Sequence, residues 1–148
     1  MCLHCKDARS EGAVWETDPV SNGERCPCGS GDDYDDCCGP LHRGERAAET
    51  AQALMRSRYS AFAVGDAAYL LTSWHPASRP RELTLDDAVA WRRLQIVDTE
   101  AGGRDDDHGV VEFRAQYVTG GGRRILHERS RFERVDGAWV YVDGDLLD

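Results

Sequence analysis

The absences narrow the field first. No stretch of the chain approaches the roughly 18 consecutive apolar residues that a membrane-spanning helix needs, and 30% of the residues are charged. Residues 1–10 contain no apolar core of the kind a secretory leader carries, so a cytoplasmic address is the expectation. Basic residues are in the minority: 18 Lys and Arg face 27 Asp and Glu, a formal net charge of −9. Such a balance argues against general affinity for nucleic acid or anionic lipid, both of which select basic surfaces. The arginines at positions 123, 124, 129, 131 and 134 read as a solvated strand face. No internal repeat is visible, and the only low-complexity stretch is Asp105-Asp106-Asp107. After Cys38 there is no cysteine at all.

That last absence makes the first quarter of the chain stand out. All six cysteines lie there: Cys2, Cys5, Cys26, Cys28, Cys37 and Cys38. A disulfide framework would spread cysteines through a secreted domain, whereas a tight cluster without a leader reads as metal binding or redox chemistry.

A length of 148 residues with 41% hydrophobic residues is enough for one core and perhaps a small appendage. We divide it into a loosely ordered polar tail (residues 1–25, with Trp15 its only large anchor), a cysteine module (26–44) and a main domain (45–148). In the main domain Ala51, Leu54, Met55, Arg58, Tyr59 and Phe62 fall on one helical face. Thr50 is its expected N-cap and Gly65 its stop. Asp66 can cap a second helix through Leu71, which Trp74-His75-Pro76 breaks. Thr84 and Asp87 resemble a capping box for a third short helix through Val89 and Trp91.

From Leu94 the period changes to two. Four strands are predicted: Leu94–Glu100, Val110–Thr119, Arg124–Val135 and Ala138–Asp143. They are joined by Ala101–Gly109, by the triple glycine 120–122, and by Asp136-Gly137, a strong hairpin signal. Helices followed by an antiparallel meander make an α+β fold, one face of a curved four-stranded sheet packing against the helices.

Two constellations carry chemistry. Cys26-Pro27-Cys28-Gly29-Ser30-Gly31 followed by Cys37-Cys38-Gly39 suits tetrahedral zinc, which takes four thiolate or imidazole ligands. Gly29 and Gly31 permit the tight loop such a site demands. Adjacent Cys37 and Cys38 are poorly placed for a mutual disulfide but can both bind one ion. Open alternatives are a redox dithiol, a four-thiolate iron site, His42 in place of Cys38, and a ribbon-type site pairing Cys2 and Cys5 with Cys26 and Cys28.

The second constellation consists of polar residues on apolar faces. Arg58 lies on the core stripe of its helix. Alternation with Leu126 and Phe132 puts Glu128 and Ser130 on the core face of their strand. A buried carboxylate needs a partner, so an Arg58–Glu128 ion pair is expected, fixing helix on sheet. A competing reading is a small-molecule pocket lined by Arg58, Tyr59, Trp74, His75, Trp91, Glu128 and Ser130, with Glu128 or His75 as general base. Phe113, Tyr117, Trp139 and Tyr141 read as packing.

The cysteine segment resembles the SEC-C motif, the zinc-binding segment at the C-terminus of the bacterial preprotein translocase. The resemblance implies Cys26, Cys28, Cys37 and Cys38 as ligands of one structural zinc. Where that translocase carries loop lysines this chain has Asp32, Asp33, Asp35 and Asp36, so its basic-face contacts are not implied here. Beyond the motif, Leu54-Met55-Arg56-Ser57-Arg58-Tyr59-Ser60-Ala61-Phe62, Trp74-His75-Pro76 and His127-Glu128-Arg129-Ser130-Arg131-Phe132 resemble the YchJ-like family of bacterial proteins. That resemblance covers residues 26–144 and implies a domain like nuclear transport factor 2, with no established activity. The functional expectation is a zinc-binding adaptor that meets a protein partner through its zinc module. The alternatives are a binder or enzyme using a cone pocket, and a thiol-redox protein using Cys2 and Cys5.

Overall fold

The computed structural model describes residues 24–147; the tail, with Cys2, Cys5 and Trp15, lies outside them. A 3-10 turn (Tyr34–Asp36) leads into the short helix α1 (Cys38–His42), followed by α2 (Ala51–Val64) and α3 (Ala67–Thr72). Four strands complete the chain: β1 (Ala90–Ala101), β2 (His108–Thr119), β3 (Gly122–Val135) and β4 (Ala138–Leu146). They form one antiparallel sheet in the order β1-β2-β3-β4, a simple meander. No helix among the described residues is long and apolar enough to cross a membrane.

The expected caps form. The Thr50 hydroxyl accepts from the Ala53 amide at 3.0 Å and the Asp66 carboxylate from the Tyr69 amide at 3.0 Å, each satisfying an orphan donor of a first helical turn. Gly65 closes α2 at φ 81°, a left-handed conformation that costs a residue without Cβ little. Asp136 and Gly137 both have positive φ, at 54° and 85°, the pair that a type I′ hairpin turn requires.

Helix α2 is buried more broadly than its apolar stripe implies. Ala51, Leu54, Met55, Arg58 and Tyr59 are buried as expected, and Phe62 is half-buried against Trp91. Ser57, Ser60 and Ala61 are buried too. These small residues form a second face, and the cysteine segment sits against it. Cys26, Cys28 and Cys38 therefore belong to the same hydrophobic cluster as Leu54, Phe113 and Phe132.

The expected helix at Thr84–Trp91 does not form. Asp86 accepts from the Ala88 amide through its side chain and from the Val89 amide through its carbonyl, making a turn instead of a first helical turn. The chain then enters β1 at Ala90, four residues earlier than predicted. Trp91 pairs with Tyr117 across the ladder and meets Tyr59, Phe62 and Tyr117 at ring distances of 5.0–5.9 Å. Register shifts after Trp91 and after Ile96 break the period of two in β1, which is why simple alternation shortened this strand.

Candidate metal centre and buried polar core

The cysteine loop is a small knuckle. Glu24 and Arg25 run antiparallel to Asp33 and Tyr34: the Cys26 amide donates to Asp32 O at 2.8 Å and the Tyr34 amide to Glu24 O at 2.9 Å. Between them Gly29 (φ 82°) and Gly31 (φ 93°) take conformations that other residues adopt only with strain. The Gly29 amide closes a turn onto Cys26 O at 3.1 Å. The 3-10 turn then delivers Cys37 and Cys38 opposite Cys26 and Cys28.

All four sulfurs lie within 4.8 Å of one another, so the four cysteines can hold a metal ion. Cys28 Sγ is 3.7 Å from Cys37 Sγ, and Cys37 Sγ is 4.0 Å from Cys38 Sγ. Metal–sulfur bonds of ~2.3 Å in a tetrahedron put neighbouring sulfurs ~3.8 Å apart, so these edges match that geometry. None is disulfide-bonded. Without a metal the thiols share protons unequally. Hydrogen bonds from Cys26 and Cys38 hold Cys28 far below the ordinary thiol range, and the same network pushes Cys38 up. Burial pushes Cys37 up to about 11. A divalent ion held by Cys26, Cys28, Cys37 and Cys38 would favour their deprotonated forms and offset part of the thiolate charge.

Groups around the sulfurs tie the knuckle to α2. Ser60 Oγ is 3.4 Å from Cys26 Sγ, and Ser30 Oγ 3.2 Å from Cys37 Sγ. Arg56 on α2 donates to Cys28 O at 2.8 Å and Arg46 to Cys37 O at 3.0 Å. Ser60 and Arg56 carried no sequence signal, because a serine in a helix and an arginine beside its polar face look like solvated positions.

His42, an alternative fourth ligand on sequence grounds, has both ring nitrogens engaged. Nε2 donates to Ser57 O at 2.8 Å, which leaves Nδ1 to accept from the Tyr34 hydroxyl at 2.6 Å. The imidazole clamps α1 onto α2 and takes no part in the sulfur cluster. Cys2 and Cys5 lie outside the described residues.

The polar residues of the main domain fall into separate groups. Arg58, Tyr59, Glu128 and Ser130 are each no more than 2% exposed, and Trp74 is buried. Tyr59 packs edge-on against Trp91. His75 lies apart near the surface: its Nδ1 accepts from the Ala77 amide at 2.9 Å, and its Nε2 is 3.5 Å from Glu133. That arrangement fastens the turn after α3.

The expected Arg58–Glu128 ion pair is not made. Arg58 Nη1 donates to Leu70 O at 2.8 Å and Ser73 Oγ at 2.7 Å, both supplied by the end of α3, which offers acceptors nearer than the sheet does. Its Nε and Nη2 have no hydrogen-bond partner. Instead the guanidinium lies 5.1 Å from the Trp74 ring centre and 4.7 Å from that of Tyr141. Burial pushes Arg58 down to about 10, so it remains charged at neutral pH. Glu128 Oε2 accepts from Ser130 Oγ at 2.8 Å and the Tyr141 hydroxyl at 2.9 Å. Tyr141, read from sequence as packing alone, links the two charges.

A main domain of this kind behind a four-cysteine knuckle defines a class, the SEC-C motif proteins. The family model for the SEC-C motif matches residues 24–40, and that for the YchJ middle domain, like nuclear transport factor 2, matches residues 50–144. The chain belongs to the YchJ-like family, whose curated relatives carry the designation UPF0225. It is 57% identical over 123 residues to one from Streptomyces coelicolor, spanning 83% of this chain and 96% of that one. It is 50% identical over 124 residues to one from Corynebacterium glutamicum, spanning 84% and 98%. Among solved structures, a SEC-C motif-containing protein from Rhodopseudomonas palustris matches with a TM-score of 0.72 at 36% identity, covering 83% of this chain and 98% of the other. One from Psychrobacter arcticus matches with a TM-score of 0.66 at 29% identity, covering 83% and 82%.

Proposed function

We propose that this chain is a structural-zinc protein, its metal held by Cys26, Cys28, Cys37 and Cys38, acting as an adaptor that presents a surface to a protein partner. The observation that carries the reading is the closed set of four sulfurs, three of them on buried cysteines. Four protein thiolates complete a zinc coordination sphere and leave no position for a substrate or an activated water. The donor set is soft, and two of its sulfur–sulfur edges, 3.7 and 4.0 Å, are those of a tetrahedral site, which suits zinc. The metal would fix the knuckle on α2, where Ser60 and Arg56 already hold it.

The main domain supports the adaptor reading over a catalytic one. The residues that would line a cone pocket are packed: Arg58 is covered by rings, and Glu128 is spent on Ser130 and Tyr141. An open concavity occurs beside the metal site. It measures about 430 Å³ between the knuckle and the start of α2, and Cys37, Cys38, Leu41, Thr50 and Arg56 are among its walls. This cleft is the place where a partner would touch both parts of the molecule.

The test is elemental analysis of protein purified under reducing conditions, together with native thiol titration and thermal melting with and without a chelator. The expected result is one zinc per chain, two reactive thiols (Cys2 and Cys5), and a melting temperature lowered by roughly 10 °C or more when zinc is removed. Absence of zinc, or an unchanged melt after its removal, would overturn the reading.

A further inference from the structure

The outer face of the sheet, turned away from the helices, is divided by charge. Successive outward rows can be followed across the strands through their register. At one end Arg93 stands opposite Gln116 and Gln116 opposite Ile125; in the next row Gln95 stands opposite Arg114, and Arg114 opposite His127. Arg123 lies just beyond. Arg93, Arg114 and Arg123 make no ion pair with a described carboxylate. In the following rows Asp98 stands opposite Glu112, and Glu100 opposite Val110. Asp143 and Asp145 complete that half on β4.

The two halves carry opposite excess charge. The acidic half has five carboxylates for two arginines: Arg129 contacts Asp98, Glu100 and Glu112, and Arg131 contacts Asp143 and Asp145. It retains three negative charges over its arginines. The other half carries three unpaired arginines. Arg93 and Arg114 are diagonal neighbours, whose Cα atoms lie ~7–8 Å apart. Two like charges so placed without a counter-charge are conspicuous in a chain with 27 acids and 18 bases. The face is partly apolar: Val97, 39% exposed, lies between the halves, and Ile125, 58% exposed, lies in the row of Arg93 and Gln116. A shallow depression of about 100 Å³ is lined by Arg93, Gln95, Arg114, Gln116 and Ile125.

We propose that this face is the interface of a dimer formed with a second copy of the same chain, the basic half of each copy lying on the acidic half of the other. A two-fold axis lying in the interface and running across the strands, between the row of Arg114 and that of Glu112, generates the arrangement. It reverses strand direction and leaves β1 over β1 and β2 over β2. Arg93 then meets Glu100 of the second copy, Gln95 meets Asp98, and Arg114 meets Glu112. Ile125 falls near Val110 and the aliphatic stem of Arg131. Each contact occurs twice, as an isologous interface requires. Five rows across three to four strands cover on the order of 500 Å² per copy, and about 1,000 Å² in total lies at the low end of specific interfaces. The dimer is therefore weak, and opposite charge supplies its orientation more than its strength.

The test is sedimentation equilibrium at about 0.15 M salt, where a Debye length of ~8 Å screens the far surfaces of two acidic chains from each other. Three proteins are compared across micromolar to millimolar concentration: the unmodified chain, Arg93→Glu, and Glu100→Lys, whose positions face each other in the dimer. The unmodified chain should self-associate. Each variant alone should do so about tenfold more weakly, because like now faces like. A mixture of the two variants should recover the original strength, since every reversed group meets a reversed partner. The lysine variant is the stringent arm: it is less negative overall, so a general net-charge effect would strengthen its association. Concentration-dependent amide NMR of the unmodified chain gives a readout independent of the variants, with shifts expected on Gln95, Arg114, Gln116 and Ile125. A monomeric unmodified chain overturns the proposal. So does a mixture no stronger than its parts, or amide shifts located elsewhere.

Discussion

Gly144 occupies a position on β4 from which a side chain would collide with the carboxylate of Glu128. A Cβ there would lie 2.8 Å from Cδ and 3.0 Å from Cγ of that residue. Gly144 pairs with Ser130, the neighbour that donates to Glu128, so the strand leaves a slot in which the acid is held by Ser130 and Tyr141. Gly144→Ala should destabilise the fold by about 1–3 kcal/mol through overpacking. In a Glu128→Ala background the same change should cost less than about 0.5 kcal/mol, because the clashing group is gone. Urea denaturation of the four proteins in this cycle measures the difference, and additive costs would show that the slot is not made for Glu128.

Arg58 separates charge from packing. Arg58→Ala leaves a cavity and removes the charged donor to Leu70 O and Ser73 Oγ, and should cost about 3–5 kcal/mol. Arg58→Met keeps most of the volume and removes a buried charge with two unbonded donors, so it should cost about 2 kcal/mol or less. Equal losses in chemical denaturation would show that the charge, held between Trp74 and Tyr141, is the stabilising feature.

His42 can be distinguished from a metal ligand. His42→Ala breaks the link from Tyr34 to Ser57 and should lower stability by about 1–3 kcal/mol. Zinc content per chain should stay the same, whereas Cys38→Ser should reduce both zinc content and stability. Loss of metal from the His42 variant with its fold intact would place the imidazole in the coordination sphere.

Acid should weaken the fold through the outer sheet face. The hydrogen bond from His127, with those from Arg129, holds Glu112 below its ordinary value of 4.5, and Arg131 holds Asp145 below 3.8. A carboxylate whose pKa is lower folded than unfolded contributes stability that is complete above its unfolded value and disappears as pH falls through the folded one. Melting temperature should therefore decline below about pH 4.5. Glu112→Gln should flatten that decline while changing little near neutrality. A variant with the profile of the unmodified protein would remove Glu112 from the account.

The sequence by itself determined the features whose signal is local. The four-cysteine spacing, the caps at Thr50, Gly65 and Asp66, the Asp136-Gly137 turn and the placing of Glu128 and Ser130 on the core face all depend on a few neighbouring residues. Only the tertiary structure decided the rest. Ser57, Ser60 and Ala61 became a second buried face because a separate segment packs on them, and no residue type announces that. Trp91 became part of a strand because ring contacts with Tyr59, Phe62 and Tyr117 and a long ladder outweigh a weak capping signal. Arg58 and Glu128 share a tyrosine and do not meet, because α3 offers Arg58 closer acceptors and the register of β3 and β4 brings the Tyr141 hydroxyl to Glu128. Spacing within an element fixes which face a residue occupies; packing between elements fixes what it touches.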